Sequence, residues 1–550
     1  MKKISIYLLS AVVLVSALSF TKPAERYFEI AKNLDIFASL FKEVNALYVD
    51  EINPNKLVRT GIDAMLNSLD PYTNYIPEDE VEDFRTLNTG QYGGIGAVTR
   101  DIGDHTFVTM IMEGYAAQKG GLKIGDEIVK IDDVSLSKLT RDETSHLMKG
   151  QVGTPVRLTV NRYGSDTPVE LSFKREKIKV SNVPFFGMVS ADVGYIKLSD
   201  FTPDASKEVR NALVDLKEKG AKGIILDLRG NPGGLLMEAV NVSNLFIPKG
   251  QKVVSTKGKI PENNLTYETL NPPVDTDILL TVLINRGSAS ASEIVAGTIQ
   301  DYDRGVVMGE KSFGKGLVQV SRPLSYNSQL KVTTAKYYTP TGRCIQVLDY
   351  SHRREDGSVG SVPDSLKKSF KTTHGRTVYD GGGIDPDVKA SSPELHPLPQ
   401  SLFEQGFILD YVTQYNFKHN KDILPEAKNF SLTDAEYLDF VNWMKGKNYN
   451  YESYLEQQLQ GFEREARKER YYADLKGQLE QIKSKIEDSK KNELMLYKDQ
   501  IKMLLEEDIV ARHYLERGTV ENGFRHDEGV QKSIEILHNL PQYKKTLNLQ

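Results

Sequence analysis

The sequence predicts a multidomain α+β protein, with an α/β core, a β-rich module and helical regions at both ends. Three observations lead there. Between residues 176 and 392 two buried-type strands are each followed by a small-residue turn and a helix-like stretch, which indicates an α/β core. Residues 89–175 hold short β runs separated by glycine turns. Apolar residues recur at helical spacing in residues 23–88 and 393–550. A chain of 550 residues has room for roughly three to five such units. With 39% hydrophobic and 26% charged residues its composition is ordinary for globular proteins, which excludes wholesale disorder and a multi-span membrane protein. A net charge of -5, a pI of about 6.1 and the lack of a long basic run give nucleic acid no attractive field, so it is not an expected partner.

Taken in order, the chain opens with Lys2 and Lys3 ahead of an apolar run from Ile4 to Phe20. A charged start, an apolar stretch below spanning length and the small-residue pattern Ala17-Leu18-Ser19 predict a signal peptide over residues 1–20. The expected location is the periplasm or another part of the cell envelope, with an uncleaved anchor as the alternative. The single cysteine, Cys344, excludes an intramolecular disulfide. In residues 23–88, Phe28, Ile30, Ala31, Leu34, Phe37, Leu40 and Phe41 predict a small helical region, punctuated at Leu69-Asp70-Pro71. The β-rich module of residues 89–175 carries runs at 106–111, 127–131 and 155–160.

In the core, the run 223–228 meets the turn Arg229-Gly230-Asn231-Pro232-Gly233-Gly234 and a helix-like stretch through Phe246. The run 278–284 then meets Asn285-Arg286-Gly287-Ser288-Ala289-Ser290 and a helix to about Asp301. Residues 393–550 read as helical, notably Tyr454 to Glu506 as a hairpin or packing arm, without a chemical signature. An adaptor or a second copy of the chain is the candidate partner of that extension.

Nucleophiles are often carried on a tight strand-to-helix turn, where backbone N–H groups can also gather around a substrate carbonyl. Ser288, Ser290 and Ser292 lie in such a turn, and any of them could equally be a plain helix cap. A second feature is needed. It is Phe313-Gly314-Lys315-Gly316, a lysine between two glycines and ahead of a β-type run. Lowering a lysine from ~10.4 to near 7 takes about 4–5 kcal/mol of desolvation. Phe313 and Leu317 could supply that apolar lining, although an isolated Gly-Lys-Gly is otherwise a surface turn. Residues 309–315 also match a P-loop up to the lysine. That match fails at Gly316, where a metal-binding hydroxyl is required, and at the β run, where a helix is required.

Together these blocks resemble the C-terminal processing peptidases, or tail-specific proteases, over roughly residues 60 to 390. The matching blocks are Leu69-Asp70-Pro71-Tyr72, Tyr92-Gly93-Gly94-Ile95-Gly96, Asp227-Leu228-Arg229 with Gly233-Gly234, the serine block, Phe313-Gly314-Lys315-Gly316 with Gln319, and Gly382-Gly383-Ile384 with Pro386-Asp387. The resemblance implies a crotonase-like α/β peptidase core, with Ser290 as nucleophile, Lys315 as general base and Gln319 orienting the lysine. It also implies an oxyanion hole from the backbone N–H groups of Ala291 and Gly233, and neither metal nor organic cofactor. The absence of any histidine between Glu176 and Cys344 independently favours a Ser/Lys dyad over a Ser/His/Asp triad.

Two acidic residues need separate treatment. Asp301 returns to nearly the same helix face as Ser290, but about 16 Å further along the axis. It is expected to be structural, holding Arg304 or a nearby loop. Glu293 is expected to be a first-turn residue favoured by the helix dipole.

The loop Gly94-Ile95-Gly96 offers a backbone nest for a carboxylate, ahead of a strand that could pair with a ligand, although glycine turns before strands are often only turns. With residues 116–128 the module resembles a PDZ domain. Its apolar pocket is then expected to include Ile95 and the helix around His146, Leu147 and Met148. The expected activity is peptide hydrolysis on polypeptides with free C-termini. The rival expectations are a catalytically silent PDZ chaperone or scaffold, and a crotonase-like acyl-CoA enzyme, which the PDZ module and signal peptide disfavour.

Overall fold

The structure, a computed structural model, describes residues 26–354, 357–391, 394–420, 424–490 and 492–549. The signal-peptide segment lies outside these residues.

The chain forms two compact units, one of residues up to Ile76 with Ser321–Val332, the other of Pro77–Val320 with Thr333–Gln550. In the first, a helix over 26–47 is followed by the helix Pro54–Asn67 and the strand Asn74–Ile76, which pairs antiparallel with residues 329–331. The expectation of one helical region over 23–88 is therefore corrected. The chain divides at Ile76, and the next helix, Val81–Thr89, belongs to the larger unit. The apolar face of the first helix is also not a domain core, since Phe28, Leu34 and Leu40 are all exposed.

The larger unit is built on a six-stranded sheet in the order Phe185–Met188, Val193–Lys197, Gly223–Asp227, Leu279–Ile284, Val306–Gly309 and Val388–Lys389. The first pair is antiparallel and the others are parallel. Gly223–Asp227 and Val306–Gly309 are buried at every residue, as a sheet covered on both faces requires. Alternation then sends neighbouring side chains to opposite layers. Ile224, Leu226, Val282 and Ile284 pack with residues of the helices Ala205–Glu218, Leu236–Asn244 and Ala291–Asp301. Ile225, Leu283 and Met308 face the other way, onto Val530, Ile536, Leu537 and Tyr543. Those four residues belong to the helices Glu528–His538 and Leu540–Thr546. The extension thus supplies one layer of the core.

The β-rich module enters and leaves through a two-stranded ribbon, Gln91–Gly94 against Glu176–Lys179. Between them lies a sheet ordered Ala97–Ile102, His105–Ile111, Glu127–Ile131, Pro155–Asn161 and Val169–Lys174, with the helix Arg141–Met148. Thr140 and Glu143 start that helix with a reciprocal capping box. Arg175 ends it, donating to the carbonyls of Leu147 at 2.6 Å and Met148 at 3.2 Å.

The extension is helical, as expected. The helices Tyr454–Lys468 and Tyr472–Lys490 pack against each other as a hairpin. A separate core gathers Leu398, Leu402, Val412, Tyr437, Phe440, Ile501 and Leu505. Among the described residues no helix is long and apolar enough to cross a membrane.

Candidate active site

Two strand ends and one loop build the site. Ser290 lies at the end of the turn after Leu279–Ile284 and immediately before the helix Ala291–Asp301, with φ 53° and ψ -110°. A non-glycine residue in such a region costs about 1–3 kcal/mol and persists only where its surroundings hold it. Two groups hold it here. The Ser290 N–H donates to Glu293 Oε2 at 2.8 Å, and the Tyr337 hydroxyl donates to the Ser290 carbonyl at 3.1 Å.

The three serines have different environments. Ser288 Oγ donates to the Leu228 carbonyl at 2.8 Å and Ser292 Oγ to the Asn231 carbonyl at 3.0 Å, both fully buried. Their hydroxyls stitch the turn to the loop of the other strand–turn–helix unit. Ser290 is the partly exposed member of the three.

Lys315 is half-buried, in the segment between Val306–Gly309 and Leu317–Pro323. Its backbone N–H donates to Glu293 Oε2 at 2.9 Å, the oxygen that also accepts from Ser290. Gly314 N–H, at 2.7 Å, and Ser312 Oγ, at 2.6 Å, donate to Glu293 Oε1. Flanking glycines are required by space: a Cβ at Gly314 would lie 2.0 Å from Val347, and one at Gly316 would lie 2.9 Å from the Gln346 nitrogen. Leu317 is buried, but Phe313 is 51% exposed, which corrects its expected place in an apolar lining.

Glu293, expected only as a first-turn residue favoured by the helix dipole, is the joint of the site. Its fully buried carboxylate accepts from Ser290, Ser312, Gly314 and Lys315. Burial pushes the carboxyl up to about 7, against the downward pull of those donors. Its position three residues after Ser290 fits the capping pattern, a signal that could have pointed to the bond with Ser290. Tyr337 left no such signal.

Gly233 packs directly on the Ser290 turn. A Cβ there, at φ 103°, would lie 2.9 Å from both Ser290 Cβ and the Ala291 nitrogen. Its N–H, however, donates to Asn231 Oδ1 at 2.9 Å, so the oxyanion donor implied by the resemblance is engaged within its own loop. Gln319 donates its side-chain amide to Thr333 Oγ1 at 3.2 Å. Asp301 is structural, as expected, and of its two expected partners it holds the nearby loop, accepting from the Thr341 N–H at 3.0 Å and pairing with Arg343 at 2.7 Å, whereas Arg304 donates to the carbonyls of Phe246 and Asp275.

In the β-rich module Gly94 ends the ribbon strand, Ile95 is buried in the module core and Gly96 has φ 78°. The carbonyls of Ile95 and Gly96 accept from Ala117 at 2.8 Å and Met112 at 2.9 Å. Leu147 and Met148 pack partly buried against the cluster that contains Ile95, whereas the His146 side chain is 65% exposed. No group of three or more His, Cys, Asp and Glu side chains among the described residues could hold a metal ion.

Family comparisons agree with this architecture. Residues 192–349 match peptidase family S41 and residues 85–161 match the PDZ domain. Residues 398–537 match a family described as "Probable PDZ-protease, C-terminal helical domain". A carboxy-terminal-processing protease of Bartonella bacilliformis is 39% identical over 342 residues, covering 62% of this chain and 78% of that protein. A "Probable CtpA-like serine protease" of Staphylococcus aureus is 38% identical over 316 residues, covering 57% of this chain and 62% of its own length. Among solved structures, a photosystem II D1 C-terminal processing protease aligns at 26% identity over 68% of this chain and 96% of its own, with a TM-score of 0.35.

The molecule is a serine peptidase that carries a PDZ domain. Its 39% identity to a carboxy-terminal-processing protease, over most of that protein's length, sets its place within the class. The chain belongs to peptidase family S41.

Proposed function

We propose that this peptidase is exported and cleaves polypeptides presented by their free C-termini, with Ser290 as nucleophile and Lys315 as general base. The observation that carries the reading is the shared carboxylate oxygen of Glu293, which accepts from the backbone of both residues and so holds the serine turn and the lysine loop in one register. Neutral Lys315 takes the Ser290 proton, and Oγ attacks the scissile carbonyl. The tetrahedral oxyanion is received by the Ala291 N–H at the start of its helix, and on collapse the Lys315 ammonium passes its proton to the departing nitrogen, which expels the amine, returns the lysine to its neutral form and leaves an acyl-enzyme. Water, deprotonated by the same lysine, completes the hydrolysis. Gly233 N–H becomes a second oxyanion donor when it leaves Asn231 Oδ1. Gln319, two residues into the following strand, steadies the lysine segment through Thr333.

The Gly94-Ile95-Gly96 loop receives the substrate's terminal carboxylate, and Leu147 and Met148 its last side chain. The name of the Bartonella relative, a carboxy-terminal-processing protease, supports this substrate class. Export is supported by the Lys2-Lys3 start and the apolar run that follows. The helical extension, beyond its layer in the core, is the surface for an adaptor or a second copy.

The test compares one peptide with a free and an amidated C-terminus, on the parent enzyme and on Ser290→Ala. Faster cleavage of the free form at subsaturating concentration is expected, with none by Ser290→Ala. Equal rates would remove the carboxylate nest from the mechanism, and cleavage by Ser290→Ala would remove the nucleophile. Cell fractionation with N-terminal sequencing tests export, and an intact cytoplasmic chain would overturn it.

A further inference from the structure

We infer that Asp527, which opens the helix Glu528–His538, is a positioning residue for peptide hydrolysis that braces, through Arg229, the loop lying against the nucleophile turn. The inference rests on the reading of Ser290 as nucleophile.

Arg229 is the second residue after the strand Gly223–Asp227 and begins the turn that carries Gly233. Its guanidinium, 15% exposed, is held from two sides. Asp227 accepts from Nε at 2.9 Å and also from Nη2 and the Arg229 backbone N–H. Asp527 accepts from Nη1 at 2.9 Å and from Nη2 at 2.6 Å, a bidentate pair. Tyr195 donates to Asp227 Oδ2 at 2.6 Å from the neighbouring strand.

The residues on either side of Arg229 both touch the nucleophile turn. The Leu228 carbonyl accepts from Ser288 Oγ, and Gly230 N–H donates to Asn285 Oδ1 at 2.9 Å. A shift of the guanidinium is therefore passed to both sides of the loop. Side-chain alternation leaves Arg229 facing the layer supplied by the extension, where Gly529 is close enough that a Cβ would lie 3.2 Å from Nη1. The extension thus reaches the loop without entering the site.

Asp527→Asn is a clean probe. Asp227 still pairs with Arg229, so no isolated charge is left behind. Asn can also keep the Oδ1 cap that Asp527 gives to the Val530 N–H at 3.1 Å. Glu528→Gln is the control, because Glu528 lies one residue on and pairs with Lys532 and the Ser391 N–H instead. Two quantities are measured on the full chain: kcat and KM for a peptide substrate, and Ki for a peptide aldehyde whose adduct with Ser290 places an oxygen in the oxyanion hole. For Asp527→Asn, kcat is expected to fall about 10-fold and the aldehyde to bind about 10-fold more weakly, as displacement of a positioned group predicts, with KM changed less than about twofold. Glu528→Gln should match the parent. Asp527→Glu, which can restore a carboxylate to Arg229, should recover part of the loss. Parental kcat and Ki in Asp527→Asn would overturn the inference, as would equal losses in Glu528→Gln. If the aldehyde binds Ser290→Ala as tightly as the parent, the reading of Ser290 fails and not the brace.

Discussion

After the strand Gly223–Asp227 the chain enters its helix through Gly233 and Gly234, both at positive φ, and the extended residue Leu235. After the neighbouring strand Leu279–Ile284 it enters through Ser290, a residue with a side chain at φ 53°. The two units are parallel neighbours in one sheet, and their turns are tied by Ser288, Ser292 and the bond from Ala289 N–H to the Asn231 carbonyl. The first turn escapes strain by having no side chain where the second comes close. The second accepts strain and is held by Glu293 and Tyr337. Strain of about 1–3 kcal/mol is within reach of hydrogen bonds to a charged acceptor worth about 1.5–3 kcal/mol each. The difference teaches that a repeated architecture divides labour. One copy supplies backbone surface and the other a partly exposed serine.

The largest effects should come from the second turn and the lysine. Ser290→Ala and Lys315→Arg are expected to lower kcat by at least about 1000-fold with folding intact, since arginine keeps the charge but cannot give up its proton near neutrality. Near-parental turnover in Lys315→Arg would make the lysine only an electrostatic aid. The search for a base would then begin with Glu293.

Gly233→Ala sharpens the comparison from the other side. Its Cβ would meet backbone and Ser290, and about a 100-fold loss in kcat is expected. Gly230→Ala, in the same turn at φ 73°, would meet nothing within 4 Å. It should lose stability by about 1 kcal/mol and keep its activity. Equal losses in the two variants would mean that backbone conformation matters in this loop and close approach does not.

Glu293→Gln is the intermediate case. The amide turns a donor toward groups that are themselves donors, so about 1–3 kcal/mol of stability and about 10- to 100-fold in kcat should be lost. The pH dependence gives a second readout. Because burial raises this carboxyl from 4.5 to about 7, the folded chain binds the proton more tightly than the unfolded chain. The stability contributed by the protonated form is present below about 4.5 and lost as pH rises through about 7. Activity should rise over the same window, because four donors require the ionised form. Urea titrations of parent and Glu293→Gln at both ends of the window should show that slope in the parent and its absence in the variant.

The smallest effects are expected at Ser288→Ala and Ser292→Ala. Each removes one of the two donors to a carbonyl of the first turn, the Asn231 N–H remaining on Leu228 and the Ala289 N–H on Asn231, so the cost is about 1 kcal/mol and a few-fold in kcat. A dead Ser292→Ala with an active Ser290→Ala would reverse the assignment of the nucleophile.

What the sequence determined by itself was local. Short runs rich in Ile and Leu announced the core strands, alternation and glycine turns announced the β-rich module, and Ser290 and Lys315 stood out because a serine turn and a Gly-Lys-Gly segment occurred together. Each of these follows from what one residue and its near neighbours require of the backbone. Tertiary structure decided the partners. Glu293 could be placed near the helix start, but that it joins residues 312–315 depended on where the strand Val306–Gly309 would lie in the sheet. Asp301 chose Arg343 over Arg304 for the same reason. Strands buried at every residue implied a cover on both faces, yet nothing local said that residues 528–546 would provide the second one. Many segments are amphipathic enough to cover a sheet, and many carboxylates can meet an arginine. Only closure of the long connection to Asp527 makes one pairing available and removes the others.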